Sequence, residues 1–256
     1  MAFTHIWHKL HLHGQKVTLC ALVAFLLLGH AAAAQSQKIK SVNKPGYDDK
    51  PVHYGFYLAM PLTKYKVDHS QTYADQLSNG SNQALNAKTD IGFYTGLVLN
   101  VRLAEYLDAR FVPGVGFYSR SLEYTNIVPQ DGGEPTNDTQ VLQNVMIELP
   151  VLLKYKAKRR DNYRPYLVAG IKPGIDMGKG NNGATEDVTE LQIEKFDLAL
   201  EYGFGVDIFY PFFKFAPELR FSHGLLNQHK PVQGSDYSAY IQKLTNHNVS
   251  LILFFE

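Results

Sequence analysis

Between Phe196 and Tyr210 apolar side chains alternate with polar or small ones almost without interruption, and this period of two constrains the fold more than any other feature of the chain. In an extended strand successive side chains point to opposite faces. One face then carries Phe196, Leu198, Leu200, Tyr202, Phe204, Val206, Ile208 and Tyr210, and the other Asp197, Ala199, Glu201, Gly203, Gly205, Asp207 and Phe209. A strand that is apolar on one side and charged on the other suits a wall between lipid and a polar interior.

The N-terminus has the layout of an export signal. Lys9, Lys16 and several histidines precede an apolar run over 17–28, and four alanines occupy 31–34. This predicts a signal peptide over 1–34, cut after Ala34. The run is shorter than the roughly 20 apolar residues of a membrane-spanning helix, and no later stretch approaches that length. Cys20, the one cysteine, sits near the start of the run, whereas a lipidation site ends it. It leaves with the signal, so disulfide and thiol chemistry are excluded from the mature chain. Removing 1–34 takes two lysines and no acid, and the formal charge falls from +1 to −1. That near-neutrality, with no basic run longer than the one over 156–160, argues against nucleic acid as a partner.

Residues 35–51 read as a polar, periplasmic lead-in segment. Strand signals follow at 52–60, 91–103, 107–124, 141–156, 163–176, 193–210, 212–223 and 247–256. Short links at 105–106, 158–161 and 210–211 alternate with long, polar ones at 61–88, 125–140, 177–192 and 224–246. Short turns belong on the periplasmic side and long loops outside, which places both mature termini in the periplasm. The expectation is an all-β chain whose residues 52–256 form an eight-stranded antiparallel transmembrane β-barrel of the outer-membrane type, surrounded by lipid. Closure follows from hydrogen bonding, because an open sheet edge in hydrocarbon leaves unpaired amides and carbonyls that each cost several kcal/mol. Pro113, Pro150, Pro165, Pro173 and Pro217 fall inside these strands and predict bulges or strand ends. If they broke the strands outright, a soluble sandwich would be the alternative.

Carried through all strands, the alternation turns Arg102, Arg110, Glu148, Lys154, Asp197, Glu201, Asp207, Lys214, Glu218 and Arg220 away from lipid. The interior of an eight-stranded barrel is just wide enough for side chains, so these residues are expected to interlock as a network that fills it. A wide pore is excluded on that reading, and a narrow channel is the remaining transport alternative. Tyr106, Tyr155, Tyr163, Tyr166, Phe209, Tyr210, Phe212, Phe213 and Phe215 collect near strand ends and read as an interfacial girdle. No Gly-x-Ser-x-Gly occurs, His223 and His247 have no serine at a diagnostic spacing, and the other histidines are scattered. No catalytic, metal or cofactor site and no small-molecule substrate is predicted.

Six segments resemble the PorT/SprT proteins associated with type IX secretion and gliding motility in the Bacteroidota. They are Asp49-Lys-Pro-Val-His-Tyr-Gly-Phe56, Arg110-Phe-Val-Pro-Gly114, Leu149-Pro-Val-Leu-Leu-Lys-Tyr-Lys156, Arg164-Pro-Tyr166, Glu201-Tyr-Gly-Phe-Gly205 and Pro211-Phe-Phe-Lys-Phe-Ala-Pro-Glu-Leu-Arg220. The resemblance implies an outer-membrane barrel required for export of proteins with type IX C-terminal signals, and it brings no catalytic residue. An eight-stranded lumen cannot admit a folded protein, so such a barrel would support assembly or operation of a larger translocon. Other secretion components are then the expected partners. Lys158, Arg159, Arg160 and Asp161, with Tyr210, Pro211, Phe212, Phe213, Lys214 and Phe215, are the candidate docking turns. The competing function is a structural or adhesive surface barrel whose extracellular loops bind outside ligands.

Overall fold

The computed structural model describes residues 42–127, 134–177, 191–232, 235 and 237–256, so the expected signal peptide over 1–34, including Cys20, lies outside the described residues. Antiparallel ladders organise the chain into strands β1 (Val52–His69), β2 (Ala84–Ala87), β3 (Asp90–Ile91), β4 (Phe93–Ala104), β5 (Leu107–Phe111), β6 (Gly114–Ile127), β7 (Thr136–Glu148), β8 (Val151–Lys156), β9 (Tyr163–Asp176), β10 (Gln192–Ile193), β11 (Phe196–Phe209), β12 (Lys214–Gly224), β13 (His229–Lys230) and β14 (Ile241–Phe255). One helix, α1 (Gln71–Ser78), stands among them. None of the described helices is long and apolar enough to cross a membrane. Asn43–Glu256 is one compact unit; of the other, Met1–Val42, only Val42 is described.

Twelve strands form one sheet with the order β11-β12-β14-β1-β4-β5-β8-β9-β7-β6-β2, in which β9 also pairs with β11, β4 with β6 and β3 with β1. β10 and β13 make a separate two-stranded sheet. Registers are set by the alternation. Along β11 the odd positions from Asp197 to Phe209 are buried, while Phe196, Leu200, Tyr202 and Phe204 are exposed. A slip of one residue would exchange the two sets. The molecule is thus built inside out, with leucines and aromatics exposed and charged groups buried.

The prolines interrupt strands without shifting their register. Pro113 separates β5 from β6 and Pro150 separates β7 from β8, yet Phe111 opposite Val151 and Gly114 opposite Glu148 lie on one continuous pairing. The carbonyls of the interrupting residues stay in use: Leu97 donates to Pro113 at 2.9 Å and Val112 to Pro150 at 3.0 Å. Pro165, Pro173 and Pro217 remain inside β9 and β12.

Several elements extend past the boundaries expected from sequence. β1 continues to His69 and β14 begins at Ile241, pairing Lys64 with His247, Lys66 with Thr245 and Asp68 with Lys243. Alternation persists there, but lysines replace the exposed apolar residues, which hides a strand from a reading based on hydrophobicity. Part of 61–88 is helical: Ser70 caps α1, its hydroxyl accepting from the Tyr73 amide at 3.3 Å and donating to the Ala239 carbonyl at 2.6 Å. In the lead-in segment Tyr47–Asp49 form a 3-10 turn, entered through Gly46 at a φ of 76°.

Gly96 marks one of the close strand approaches. A Cβ there would overlap the Pro113 carbonyl oxygen of the neighbouring strand and lie 2.5 Å from Gly114 Cα. Gly96→Val is therefore expected to abolish the compact, heat-modifiable band of the folded protein on SDS gels, whereas Leu97→Val on the exposed face retains it. A folded Gly96→Val band would refute the approach.

Candidate functional site

Charged side chains from six strands meet on the buried face, toward the end that carries the lead-in turn and Glu256. Glu218 on β12 accepts from Arg110 Nη1 at 2.8 Å, from Arg220 Nη2 at 2.5 Å and Nε at 2.8 Å, and from the Tyr166 hydroxyl at 2.9 Å. Arg220 also reaches Glu201 at 3.2 Å; Lys172 joins Glu201 (3.5 Å) to Glu148 (2.9 Å), and the Tyr118 hydroxyl donates to Glu148 at 2.8 Å. Asp207 holds Lys154 at 2.7 Å, Arg164 at 3.2 Å and Lys214 at 3.8 Å. Glu256 takes Lys214 at 2.7 Å, Asn100 at 2.7 Å and the Tyr47 hydroxyl at 3.1 Å. Its other oxygen faces Arg110 Nη2 at 3.6 Å, and neither of these two atoms has a hydrogen-bond partner among the described residues. Asp48 closes the set by accepting from Arg164 at 2.6 Å.

Charge in this linked set balances, with six cations (Arg110, Lys154, Arg164, Lys172, Lys214, Arg220) against six carboxylates (Asp48, Glu148, Glu201, Asp207, Glu218, Glu256). Aromatic faces complete the contacts: Lys154 Nζ lies 3.7 Å from the Tyr166 ring centre and the Arg110 guanidinium 4.5 Å from that of Phe254. Paired, hydrogen-bonded charges are the form in which ions survive burial. At Asp48, in the turn outside the strands, burial pushes the carboxyl pKa up, but the hydrogen bond and charge of Arg164 outweigh it and hold the group below the ordinary range.

Of the ten residues expected to interlock, Arg110, Glu148, Lys154, Glu201, Asp207, Lys214, Glu218 and Arg220 come together here. Asp197 is buried elsewhere, accepting from Asn246 Nδ2 at 2.6 Å and Gln228 Nε2 at 3.1 Å. Arg102 lies at the rim, half-buried, and donates to the Asp48 carbonyl. Glu256, Arg164, Lys172 and Asp48 were missed. The alternation over 163–176 would have found Arg164 and Lys172, which share a face with Tyr166 and Val168. Glu256 continues the inward parity of Ser250, Ile252 and Phe254 in the expected strand 247–256, so the same alternation would have found it.

The same parity corrects the aromatic girdle. Tyr166 and Phe209 are 3 % and 1 % exposed and belong to the interior. Phe209 stacks under Arg159, 3.7 Å from guanidinium to ring centre. Arg159 in turn donates to the Asn43 carbonyl, and to Asn162 Oδ1 at 3.2 Å. Of the expected docking residues, Lys158, Arg160, Asp161, Tyr210, Pro211, Phe212 and Phe213 are exposed, Phe215 is half-buried and Lys214 is buried in the network. Phe212 is 91 % exposed.

Toward the opposite end the buried face changes character. Arg120 donates through Nε to Thr63 Oγ1 at 2.8 Å between the rings of Tyr118 and Tyr65, and beyond it Tyr65, Leu122, Tyr124, Ile241 and Leu244 form a second apolar core. His223 and His247 sit 2.8 Å apart, Nδ1 to Nδ1, with Tyr202 as neighbour and no serine. Among the described residues no three His, Cys, Asp or Glu side chains could hold a metal ion.

A family described as outer membrane protein beta-barrel domain matches residues 33–230. No curated protein matches the chain significantly. Among solved structures it is similar to OprG of Pseudomonas aeruginosa (11% identity, 78% of this chain and 94% of that one, TM-score 0.43). It is also similar to Neisserial surface protein A (13% identity, 80% and 98%, TM-score 0.37) and to Ail of Yersinia pestis (12% identity, 80% and 98%, TM-score 0.34).

Glu218→Gln leaves two buried guanidinium groups short of their carboxylate and is expected to cost about 3–5 kcal/mol, read as a lower urea midpoint of the protein refolded in detergent micelles. Adding Arg110→Met should cost less than the sum of the two single changes, because one orphaned cation is removed with it. Strict additivity would refute the coupling.

Proposed function

We propose that this chain, which belongs to the outer membrane protein beta-barrel domain family, is a closed, plugged eight-stranded barrel that supports type IX protein secretion without serving as its conduit. The pairings support closure: β1 joins β4, the continuous β5/β6 joins β4 and β7/β8, β9 joins β7/β8 and β11, and β12 and β14 return to β1. Short connections, Glu256 and the lead-in turn share one end, which supports a periplasmic position for both mature termini.

The observation that carries the functional reading is where the resemblance falls in space. Five of its six segments supply Arg110, Lys154, Arg164, Tyr166, Glu201, Lys214, Glu218 and Arg220, which are the groups that meet around Glu218 and Asp207. A charge-balanced plug in that position blocks passage of a polypeptide. The role left to such a barrel is to support the assembly or operation of other secretion components, through exposed turns such as the one bearing Phe212.

A surface structural or adhesive role is the second reading. It is favoured by α1 and the second apolar core, which build at the long-loop end a crown able to present a binding surface.

In a clean deletion strain, proteins bearing type IX C-terminal signals should disappear from the medium and accumulate in the periplasm, with other outer-membrane proteins unchanged, as read by quantitative proteomics against the complemented strain. Unchanged cargo together with lost adhesion would leave the surface reading. Purified protein in planar bilayers should show no steady conductance, and a stable open level would overturn the plug.

A further inference from the structure

We infer that the exposed wall where β12, β14 and β1 adjoin holds a binding site for a phosphorylated acyl lipid of the outer leaflet. The site rests on the orientation proposed above. The pairings place His223 beside His247 and His247 beside Lys64, making one row across three strands. Lys66 opposite Thr245, and Asp68 opposite Lys243, form the next two rows away from the membrane centre. In the other direction the adjacent row is Phe221, Val249 and Leu62, with Ile91 beyond. One step along the strands, about 6.6 Å for two residues, thus separates an apolar belt from a cationic ladder.

Lys64, Lys66 and Lys243 are exposed, and the one carboxylate paired with them among the described residues is Asp68, 3.8 Å from Lys66. The two histidines bond each other at 2.8 Å, and each Nε2 is also bonded, to Tyr202 at 3.0 Å and Thr245 at 3.3 Å. Three lysines against Asp68 leave a net of about +2 on these four groups, at a border where apolar side chains give way to water, with ammonium groups placed for a lipid's phosphates. Acyl chains would lie on Leu62, Val249 and Phe221. Exposed ion pairs elsewhere do not give this surplus: Lys88 is matched by Glu123 at 2.9 Å.

The test uses the full mature protein refolded in detergent, titrated with bis-phosphorylated lipid A, with the same lipid after phosphatase treatment, and with inorganic phosphate, and read by native mass spectrometry. Wild-type protein should retain the phosphorylated lipid, lose most retention when the phosphates are removed, and be unaffected by millimolar inorganic phosphate. Lys64→Gln/Lys66→Gln/Lys243→Gln should weaken retention about a hundredfold, roughly fivefold for each lysine near an anionic surface. Lys50→Gln at the opposite end should leave it unchanged. Equal retention of both lipid forms by wild type overturns the site, whether or not the triple variant folds. Orientation is read separately from Lys66→Cys, since Cys20 leaves with the expected signal: labelling of whole cells by a membrane-impermeant maleimide supports the exposed crown. Labelling only after permeabilisation overturns the orientation and the outer-leaflet site with it, whereas outside labelling with equal lipid retention overturns the lipid site alone.

Discussion

Glu218 bonded by two guanidinium groups and a phenol is the interaction on which the rest of the arrangement depends. Its partners come from β5, β9 and β12, so its geometry can form only when these strands are paired in one register. A charge left without partners in this interior costs several kcal/mol, and a one-residue slip would send Arg110 and Glu218 to the apolar side. The hydrophobic face specifies which side of a strand is out. The ion pairs then specify which rung meets which, a discrimination that interchangeable leucines make poorly. Glu256 extends the same logic to the chain end, where its main chain pairs with Lys214 at 2.6 and 2.9 Å while its carboxylate enters the network.

Much of this was legible in the sequence because a period of two is a local property. β9 begins and ends at the residues expected, and the polar face of β11 reads directly as the buried set. Where the reading failed, the cause was that hydrophobicity stood in for geometry. Tyr166 and Phe209 were placed at the membrane border for being aromatic, although strand parity turns both inward, where their rings face cations. The extension of β1 was missed because Lys64 and Lys66 look like loop residues, whereas the inward Thr63 and Tyr65 keep the alternation. Contacts between distant segments, such as Arg164 with Asp48 or Lys214 with Glu256, carry no local signature at all.

The buried face is packed differently toward its two ends, and the difference is physical. Near the termini the space is filled by ion pairs, which are directional and hold fixed strands in place. At the other end Leu122, Ile241 and Leu244 fill it without directional bonds, against connections that include a helix and a short two-stranded sheet. Apolar packing tolerates the irregular backbone that long connections impose. Charge pairing would not, since a displaced loop would strand a buried ion. Near the start of β7, the Tyr237 hydroxyl donates to Asp138 at 2.7 Å, so even the long-loop end holds its acid by a specific bond.

Satisfaction of the interior also directs attention outward. Carboxylates that are already bonded to cations, and cations that are already bonded to carboxylates, have little left with which to bind a solute, so recognition by this protein falls to its periphery. There the two ends differ again. Near the termini Arg159 is committed to the lead-in segment, and the exposed turn over 210–213 is largely apolar, with Phe212 almost fully exposed beside the stacked pair Tyr210 and Phe213. Toward the crown the surplus charge is on lysines that begin one row above the apolar belt. An exposed aromatic turn suits a protein neighbour, because rings supply large contact area at small entropic cost. A ladder of ammonium groups at an apolar border suits an anionic head group instead. A barrel gripped by lipid at one rim and presenting rings at the other would be oriented and held in place while a partner docks from the side of the termini, which is the arrangement a supporting component of a larger assembly requires.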